Sequence, residues 1–390
     1  MRPESFQSTE RGKVRRTLEG YRAFYPEPLP RHLDMDAETV VLLDEATAAL
    51  NRLGGIGLHL PNPHLLIGTY LRLEAVLSSR IEGTSTEIPE LLRHETGQPL
   101  APAQLSDARE VANYIVSLEH GIKRVRNGFP ISIRLMREMH ERLLSGVRGR
   151  YRDPGELRRS PVWIGGSSLR DAVFVPPPPE AMNPALDDLE LFLHERSMPL
   201  LTWLALMHYQ FEVIHPFLDG NGRLGRMLIP LLLVERRVLP EPLLYMSAYF
   251  EQNRSKYYDL LLRTSQQGDL MPWIRFFLVG VRHQAQDAER RTHRLVSLQA
   301  RLRDRLLTEG STGSVLRLAD YLFSRPMVTA SMVAKGLQVS VPTANAALGS
   351  LVERGDLEEI SGKQRHRLYQ ANEILEAAYG PVEPEEPDGR

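Results

Sequence analysis

Apolar residues recur every three or four positions along most of this chain, which is the spacing of one buried helix face. The run at residues 200–214 is apolar apart from Thr202, His208, Gln210 and Glu212, and it predicts a buried central helix. A second apolar run, residues 227–234, follows closely. Further helices are predicted at 36–53 (stopped by Gly54-Gly55), 64–79, 106–124, 131–144, 182–195 and 271–284. The pattern predicts an all-α core.

Three other regions depart from this core pattern. The first 35 residues are polar and contain prolines, which favours an extended segment. Residues 162–164 and 172–175 are predicted to form two short strands of a hairpin around a Gly-Gly-Ser-Ser loop. Beyond a solvated connecting helix at 285–307 and a joint at 310–313, three short helices (315–323, 329–336, 341–354) precede two strands (357–360, 366–369). That order is typical of a winged helix-turn-helix domain.

These boundaries divide the chain into five predicted parts. They are an N-terminal helical region (1–105), a helical core (106–284), a helical linker (285–310), a winged helix (311–372) and an acidic, proline-rich tail (373–390). Breaks are predicted at Pro61 and Pro63, and disorder is predicted for residues 381–390.

Composition narrows the function classes. The 390 residues contain no cysteine, which excludes disulfides, thiolate metal sites and cysteine nucleophiles. The formal net charge is −1, so nucleic-acid binding would depend on a local basic patch. The first residues contain no apolar signal segment, and no later run is long enough to span a bilayer. A cytoplasmic location without membrane partners is expected.

Residues 215–226, HPFLDGNGRLGR, join the two apolar runs. Pro216 disfavours helical geometry at His215, so the first helix is expected to end there. Gly220 and Gly222 allow backbone conformations closed to other residues and a close approach to a ligand. Asn221 between them tolerates similar conformations and adds an amide.

Arg223 is expected to open the second helix, whose unpaired N–H groups and positive dipole end then point into the loop. Arg226 follows three residues later on the same helical face. Two guanidinium groups beside an anion-binding loop, with an imidazole and the carboxylate of Asp219, describe a polyphosphate site. The expected chemistry is nucleotidyl or phosphoryl transfer.

Residues 215–226 resemble the signature of Fic-domain proteins, H-x-F-x-[D/E]-G-N-G-R-x-x-R, at every fixed position. The resemblance implies an enzyme that transfers AMP from ATP to a Tyr, Thr or Ser hydroxyl of a target protein (AMPylation). It implies His215 as the catalytic base and Asp219 as the Mg²⁺ ligand. The nucleotide-binding residues that it implies are Glu82, Gly220, Asn221, Gly222, Arg223, Leu224, Gly225 and Arg226.

A second motif lies at the end of the helix predicted at 64–79. Ser78, Glu82 and Gly83 resemble the inhibitory pattern of the same family, [S/T]-x-x-x-E-[G/N]. The resemblance implies that Glu82 pairs with Arg226 where the terminal phosphate of ATP binds, so that the enzyme inhibits itself. The structural alternative is an ordinary helix C-terminus that ends in Glu-Gly.

Two further segments resemble family sequences. Residues 158–175 are similar to the flap whose edge holds a target segment as an added strand, although a hairpin that merely covers the core is the alternative. In residues 247–258, Asn253 is expected to contact adenine, and Tyr249 or Tyr257 could stack on the base or pack between helices. The implied fold is a Fic-type all-α core with a small β-hairpin flap and a C-terminal winged helix.

Alternatives remain at the site and for the whole protein. One alternative is a metal site, because one helical face carries His208, Glu212 and His215. A zinc site would not explain the Gly-Asn-Gly turn. His208 is instead expected to be a hydrogen-bonded core residue. Removal of AMP from modified proteins is one alternative activity, and a nucleotide-sensing winged-helix transcription regulator is another.

The predicted recognition segment of the winged helix, residues 341–355, has no cation before Arg354, while Lys363, Arg365 and Arg367 lie on the wing. Protein contact or homodimerisation is therefore favoured over DNA binding. Modification of the protein by itself is also left open.

Overall fold

The structure, a computed structural model, describes residues 1–59 and 63–381. The predicted break at Pro61 and residues 382–390 of the predicted tail lie outside this range. The helical core comprises α1 (Ala37–His59), α2 (Pro63–Ile81), α3 (Ile88–Glu95), α4 (Pro102–Arg126), α5 (Ile133–Leu143), α6 (Pro179–His194), α7 (Leu200–Ile214), α8 (Asn221–Glu235), α9 (Ser247–Gln252), α10 (Arg254–Gln267) and α11 (Met271–Thr308).

The core is organised around α7, as its apolar sequence predicts. Every α7 residue except Leu200 and Glu212 is buried. Helices α6, α8 and α11 pack around it, so the loop that joins α7 to α8 is supported by several elements. None of the described helices has both the length and the apolarity that crossing a bilayer requires.

Two predicted helix ends, those of α1 and α11, differ from the structure by several residues. Helix α1 continues through Gly54 and Gly55 to His59, and a Cβ on Gly54 would lie 2.7 Å from the carbonyl oxygen of Val238. This glycine therefore permits close packing instead of ending the helix. Helix α11 runs unbroken to Thr308, so the predicted linker is a continuation of the last core helix. One face of this segment is buried where α11 packs on α1, α12 (Gly313–Ser324) and α15 (Asn372–Tyr379). That face carries Leu295, Leu298, Leu302 and Leu306.

The N-terminal segment forms a hairpin that the sequence pattern did not predict. Strand β1 (Gly12–Arg16) pairs antiparallel with β2 (Arg22–Pro26). Phe24 on β2 is buried, and its ring lies 5.5 Å from Phe6 and 5.4 Å from Phe174. The Phe24 N–H also donates to Val175 O at 2.9 Å. The hairpin is thereby attached to the predicted flap.

The flap itself is smaller than expected. Instead of two strands, residues 158–175 contain one antiparallel bridge, between Ile164 and Phe174. The turn is closed by side chains, because the Asp171 carboxylate accepts hydrogen bonds from Ser167 and Ser168. These bonds to the backbone and hydroxyls of the loop replace ladder pairing.

The C-terminal part is a winged helix, as predicted. It contains α12 (Gly313–Ser324), α13 (Ala330–Leu337) and α14 (Val341–Glu353). Its small sheet has the order β3 (Met327–Thr329), β5 (Leu368–Gln370), β4 (Glu358–Glu359), with antiparallel pairs. The sequence pattern missed β3 and the last helix, α15 (Asn372–Tyr379), which packs on α11.

Candidate active site

A cavity of about 620 Å³ opens where α7 ends and α8 begins. Its walls come from the connecting loop, the Ile164–Phe174 bridge, helix α10 and Glu82 at the end of the α2 region. His215, Asp219, Gly220, Asn221, Gly222 and Arg226 all line it. The structure therefore brings the base, the carboxylate and most of the predicted anion-binding residues to one space.

His215 follows the last residue of α7, as Pro216 predicts, and has a left-handed backbone with φ of 51°. Its Nδ1 lies 3.2 Å from the carbonyl oxygen of Glu212. Since a carbonyl only accepts hydrogen bonds, Nδ1 carries the proton and Nε2 keeps a lone pair. Burial lowers the pKa of His215 to about 4, so the imidazole is neutral at physiological pH.

Arg158 fixes the end of α7 and was not singled out from the sequence. Its guanidinium is almost fully buried and donates to His215 O at 2.8 Å and to Ile214 O at 3.2 Å. The backbone N–H of Arg158 donates to Pro216 O at 3.0 Å. These bonds satisfy carbonyls that the helix end leaves unpaired, so Arg158 holds His215 in place. No spacing rule links it to the motif, because its partners are backbone atoms more than fifty residues away.

The Asn221 amide closes the loop. Its Oδ1 accepts from Phe217 N at 2.9 Å, and its Nδ2 donates to Phe217 O at 2.8 Å. Phe217 is buried, and its ring stacks on His140 with centroids 3.9 Å apart. The Asn221 side chain is therefore committed to the shape of the loop.

Helix α8 begins at Asn221, two residues before the predicted start at Arg223. Gly220 is its N-cap with φ of 76°, a conformation that favours glycine. The bond from Leu224 N to Gly220 O is the first of the helix, so the N–H groups of residues 221–223 have no intrahelical acceptor. Unpaired N–H groups and the positive dipole end are features that suit an anion.

Arg223 lies behind the loop and not in the cavity wall. It is buried, and it donates to Glu110 Oε2 at 3.3 Å and to Asp219 Oδ1 at 3.4 Å. Glu110 also accepts from Arg148 Nε at 2.5 Å. Arg223 thus belongs to a charge network with Glu110 and Asp219, and its contact with phosphate stays a prediction.

Leu224, Gly225 and Asn253, the other residues predicted to bind nucleotide, also lie outside the cavity wall. Leu224 is fully buried, and a Cβ on Gly225 would lie 2.5 Å from Glu212 Oε1, so both positions serve packing. The Asn253 amide donates to Tyr249 O at 3.0 Å, which ties it to its own helix turn.

Helix α10 supplies one side of the cavity, with polar residues (Arg254, Asp259 and Ser265) as well as apolar ones. Tyr258, Leu261 and Leu262 line it, whereas the two tyrosines considered from the sequence pack elsewhere. Tyr257 is buried and bonds His208 at 2.8 Å, and Tyr249 packs on Phe276 with ring centroids 4.9 Å apart. The helical period of α10 could have indicated Tyr258 as the tyrosine in the cavity wall. Tyr257 is buried, and the next residue along a helix lies on a different face.

Arg226 and Glu82 form the predicted pair. Glu82 Oε1 lies 2.7 Å from Arg226 Nη2, and Arg226 Nε donates to Ser78 Oγ at 2.8 Å. Burial acts to raise the pKa of Glu82, but the neighbouring Arg226 lowers it, and the net direction is downward. Arg226 is buried, so the carboxylate neutralises a guanidinium that water hardly reaches. Gly83 follows with φ of 96° and ends the helical turn.

The metal alternative at His208, Glu212 and His215 is not supported. His208 is a buried core residue whose Nδ1 donates to Gly225 O at 3.2 Å and whose Nε2 accepts from the Tyr257 hydroxyl. Across residues 1–59 and 63–381, no group of three or more His, Asp or Glu side chains is arranged to hold a metal ion. Asp219 is different, because it offers one half-exposed carboxylate to the cavity.

Comparisons with known proteins identify the same regions. Residues 40–123 match the family model "Fic/DOC family N-terminal", residues 130–233 match "Fic/DOC family", and residues 316–370 match "HTH DNA binding domain".

Curated relatives include the protein adenylyltransferase Fic of Drosophila ananassae, 31% identical over 188 residues (47% of this chain, 34% of the relative). That of Aedes aegypti is 34% identical over 176 residues (42% of this chain, 31% of the relative). The chain thus spans about a third of the length of these relatives.

A similar fold occurs in the crystal structure of a Fic family protein from Desulfovibrio desulfuricans G20. That structure has a TM-score of 0.55 and 20% identity, and the match covers 88% of this chain and 98% of that chain. Fic-1 from C. elegans matches with a TM-score of 0.50 and 22% identity over 65% of this chain and 72% of that chain.

Proposed function

This chain is a Fic-domain protein, and we propose that it is a protein adenylyltransferase that transfers AMP from ATP to a hydroxyl group of a target protein. One observation carries the proposal: His215, whose imidazole is neutral, and Gly220, Asn221 and Gly222 at the start of α8 line one cavity. A base beside an anion-binding helix terminus suits attack of a hydroxyl on a phosphate.

In this reaction the target hydroxyl oxygen attacks the α-phosphorus of ATP. A bond from that oxygen to phosphorus forms, the bond from the α-phosphorus to the bridging oxygen breaks, and pyrophosphate leaves. The hydroxyl proton moves to His215 Nε2, which holds the lone pair because Nδ1 donates to Glu212 O. Arg158 keeps the imidazole oriented through the carbonyl of His215.

The phosphates would bind the N–H groups of residues 221–223, and Arg226 would hold the terminal phosphate. Glu82 occupies that guanidinium at 2.7 Å. Bound Glu82 and a correctly placed terminal phosphate therefore exclude each other, which makes the enzyme self-inhibited.

Asp219 fits a magnesium ion that arrives with the nucleotide. Mg²⁺ in nucleotide sites commonly uses one or two carboxylates together with substrate phosphates and water, so a cluster of protein ligands is not needed. The Asp219 carboxylate would hold the ion, which neutralises charge on the phosphates when bound.

The other end of the cavity suits the base and the target. Tyr258 and Leu261 offer apolar surface to adenine. Trp163 and Val173 beside the Ile164–Phe174 bridge are exposed and offer a contact surface to a target segment. Residues 158–175 are thus the proposed docking edge.

For the winged helix we propose contact with protein, including a second copy of the chain, in preference to DNA. The exposed positions of α14 include Val341, Asn345 and Ala346, which carry no charge to attract phosphate. The cations lie on the wing instead. A gel-shift assay with random duplex DNA at 150 mM salt is expected to show no complex, and a specific complex would contradict this proposal.

The transfer activity is tested with ATP labelled at either the α- or the γ-phosphate. The Glu82→Gly protein is incubated with each label, Mg²⁺ and a lysate, and acid-stable protein label is measured. Label from α-phosphate alone supports the proposal. Label from γ-phosphate would indicate phosphorylation, and AMP released from pre-modified protein without any transfer would indicate the reverse reaction.

A further inference from the structure

His140 of α5 contacts the loop between α7 and α8. The sequence pattern indicates no chemical role for this residue. The His140 side chain is fully buried. Its ring stacks on Phe217 with an interplanar angle of 16°, and its Cδ2 would lie 3.6 Å from a Cβ on Gly220. One imidazole therefore touches both ends of the loop.

Both ring nitrogens of His140 have backbone partners, and these define the tautomer. Gly155 N donates to Nδ1 at 2.8 Å, so Nδ1 carries no proton. Nε2 therefore carries it and donates to Asp219 O at 2.9 Å. The ring links the turn at Gly155 to the loop in one defined direction.

The bond to Asp219 fixes one peptide unit. Its carbonyl accepts from His140, while its N–H, that of Gly220, donates to Asp219 Oδ1 at 2.6 Å. The same peptide thus orients the carboxylate of Asp219 and the N-cap of α8. If the carbonyl lost its donor, the peptide could rotate, and both features would change direction together.

We propose that His140 is a positioning residue for the reaction: its Nε2–H holds the Asp219–Gly220 peptide so that the carboxylate and the α8 N–H groups face the cavity. The inference rests on the proposed function only for its catalytic meaning. The geometry that it assigns to the loop is measurable in the protein without nucleotide.

Two substitutions separate the two bonds of the ring. In His140→Gln the amide nitrogen replaces Nε2 and keeps the donor to Asp219 O, whereas in His140→Asn the amide oxygen replaces Nδ1 and keeps only the acceptor for Gly155 N. Hydrogen exchange of a peptide covering residues 215–224 is measured in the full-length chain. We expect exchange about 10-fold faster in His140→Asn and within about 3-fold of the parent in His140→Gln.

Affinity for Mg–ATP, measured in the Glu82→Gly background, should follow the same order, with the larger loss in His140→Asn. Equal effects of the two substitutions, or unchanged loop exchange in both, would overturn the proposal, because a purely structural histidine does not distinguish them. If either variant does not fold, ¹⁵N NMR of the His140 ring in the parent tests the same bond, because a proton on Nδ1 instead of Nε2 would remove the donor to Asp219 O and overturn the proposal.

Failure of this inference is distinguishable from failure of the proposed function. A Glu82→Gly protein that transfers no AMP would refute the activity, while the exchange contrast between the two His140 variants would still decide the role of His140.

Discussion

Gly222 lies where the Glu82 carboxylate meets the Arg226 guanidinium. A Cβ at this position would lie 2.4 Å from Glu82 Oε1 and 2.9 Å from Arg226 Nη1. Its backbone is helical, with no positive φ, so this glycine serves close approach and not an unusual turn. The same absent side chain that admits Glu82 would admit a phosphate once Glu82 leaves.

Replacing Glu82 by glycine should raise AMP transfer by about 10- to 100-fold, since a charge-assisted hydrogen bond contributes about 1.5–3 kcal/mol. The change frees Arg226 for the terminal phosphate. Initial rates with α-labelled ATP measure it. Glu82→Gln, which keeps the size and loses the charge, should give a smaller increase. A rate at or below that of the parent in both variants would reject the inhibitory role.

Replacing His215 by alanine in the Glu82→Gly background should lower the transfer rate by about 10²- to 10⁴-fold, the usual contribution of a general base. Nucleotide affinity should change little, because the proposed phosphate-binding groups belong to α8 and Arg226. Rates and calorimetric binding of Mg–ATP are compared, with the exposed His194→Ala as the control. Loss of binding together with activity would show that His215 is structural.

The sequence predicted the residues of the motif better than their surroundings. The pairing of Glu82 with Arg226 follows from family patterns, whereas Asn253 lies outside the cavity wall and the pattern does not indicate His140 or Arg158. The missed residues act on backbone carbonyls distant in sequence. Such contacts depend on tertiary packing, which local spacing does not encode.

At the scale of elements, one side chain joins α2 to both α3 and α12. Arg72 on α2 forms a two-bond ion pair with Glu95, both contacts at 2.8 Å, and donates to Ser324 O at 3.0 Å. Arg72 is buried. The helix that leads to Glu82 is therefore tied directly to the winged helix.

Arg72→Ala should destabilise the protein by about 1.5–3 kcal/mol, because it removes a buried guanidinium that makes charge-assisted bonds to Glu95 and leaves Ser324 O without its donor. Urea denaturation monitored by circular dichroism measures the change. Arg52→Ala, which breaks an exposed pair with Glu289, should cost less than about 1 kcal/mol. A similar small cost for both substitutions would show that the joint does not stabilise the fold.

Hydrophobic periodicity located the long helices, and its errors have a physical explanation. The sequence pattern predicted that α1 ends before Gly54. The helix instead continues there, and Gly54 packs closely against Val238 O. The pattern also missed the hairpin of β1 and β2, whose exposed positions and short length give little alternation. Tertiary contact determined both outcomes.

For the whole molecule, buried titratable groups predict how stability depends on pH. Burial lowers the pKa of His208 to about 3 and that of His140 and His215 to about 4. Burial raises the pKa of Glu212 to about 8 and also raises that of Glu74. As pH rises, the histidines increase the free energy of unfolding, whereas the two glutamates decrease it.

Between pH 4.5 and 6.5 the unfolded chain binds more protons at the three histidines, so the free energy of unfolding rises with pH. The two acids bind more protons when folded, so they lower the free energy of unfolding as pH rises, and they dominate once the unfolded histidines have lost their protons, above about pH 7. Urea denaturation from pH 4.5 to 8 should show a maximum near neutral pH. Glu212→Gln should flatten the decline above it, and a continuous rise to pH 8 in the parent would contradict this assignment.

The sequence predicts the order of core, flap and winged helix along the chain, but it does not predict how these parts contact each other. Periodicity does not show that α11 runs unbroken from the core beside the winged helix, because polar residues on one face of α11 masked the buried leucines on the other.

The most direct measurement is a crystal structure of the Glu82→Gly protein with Mg²⁺ and a non-hydrolysable ATP analogue. The phosphates are expected on the N–H groups of residues 221–223, the terminal phosphate on Arg226, and the α-phosphorus open to an oxygen beside His215 Nε2. A triphosphate bound elsewhere, or an α-phosphorus turned away from His215, would contradict the proposed reaction.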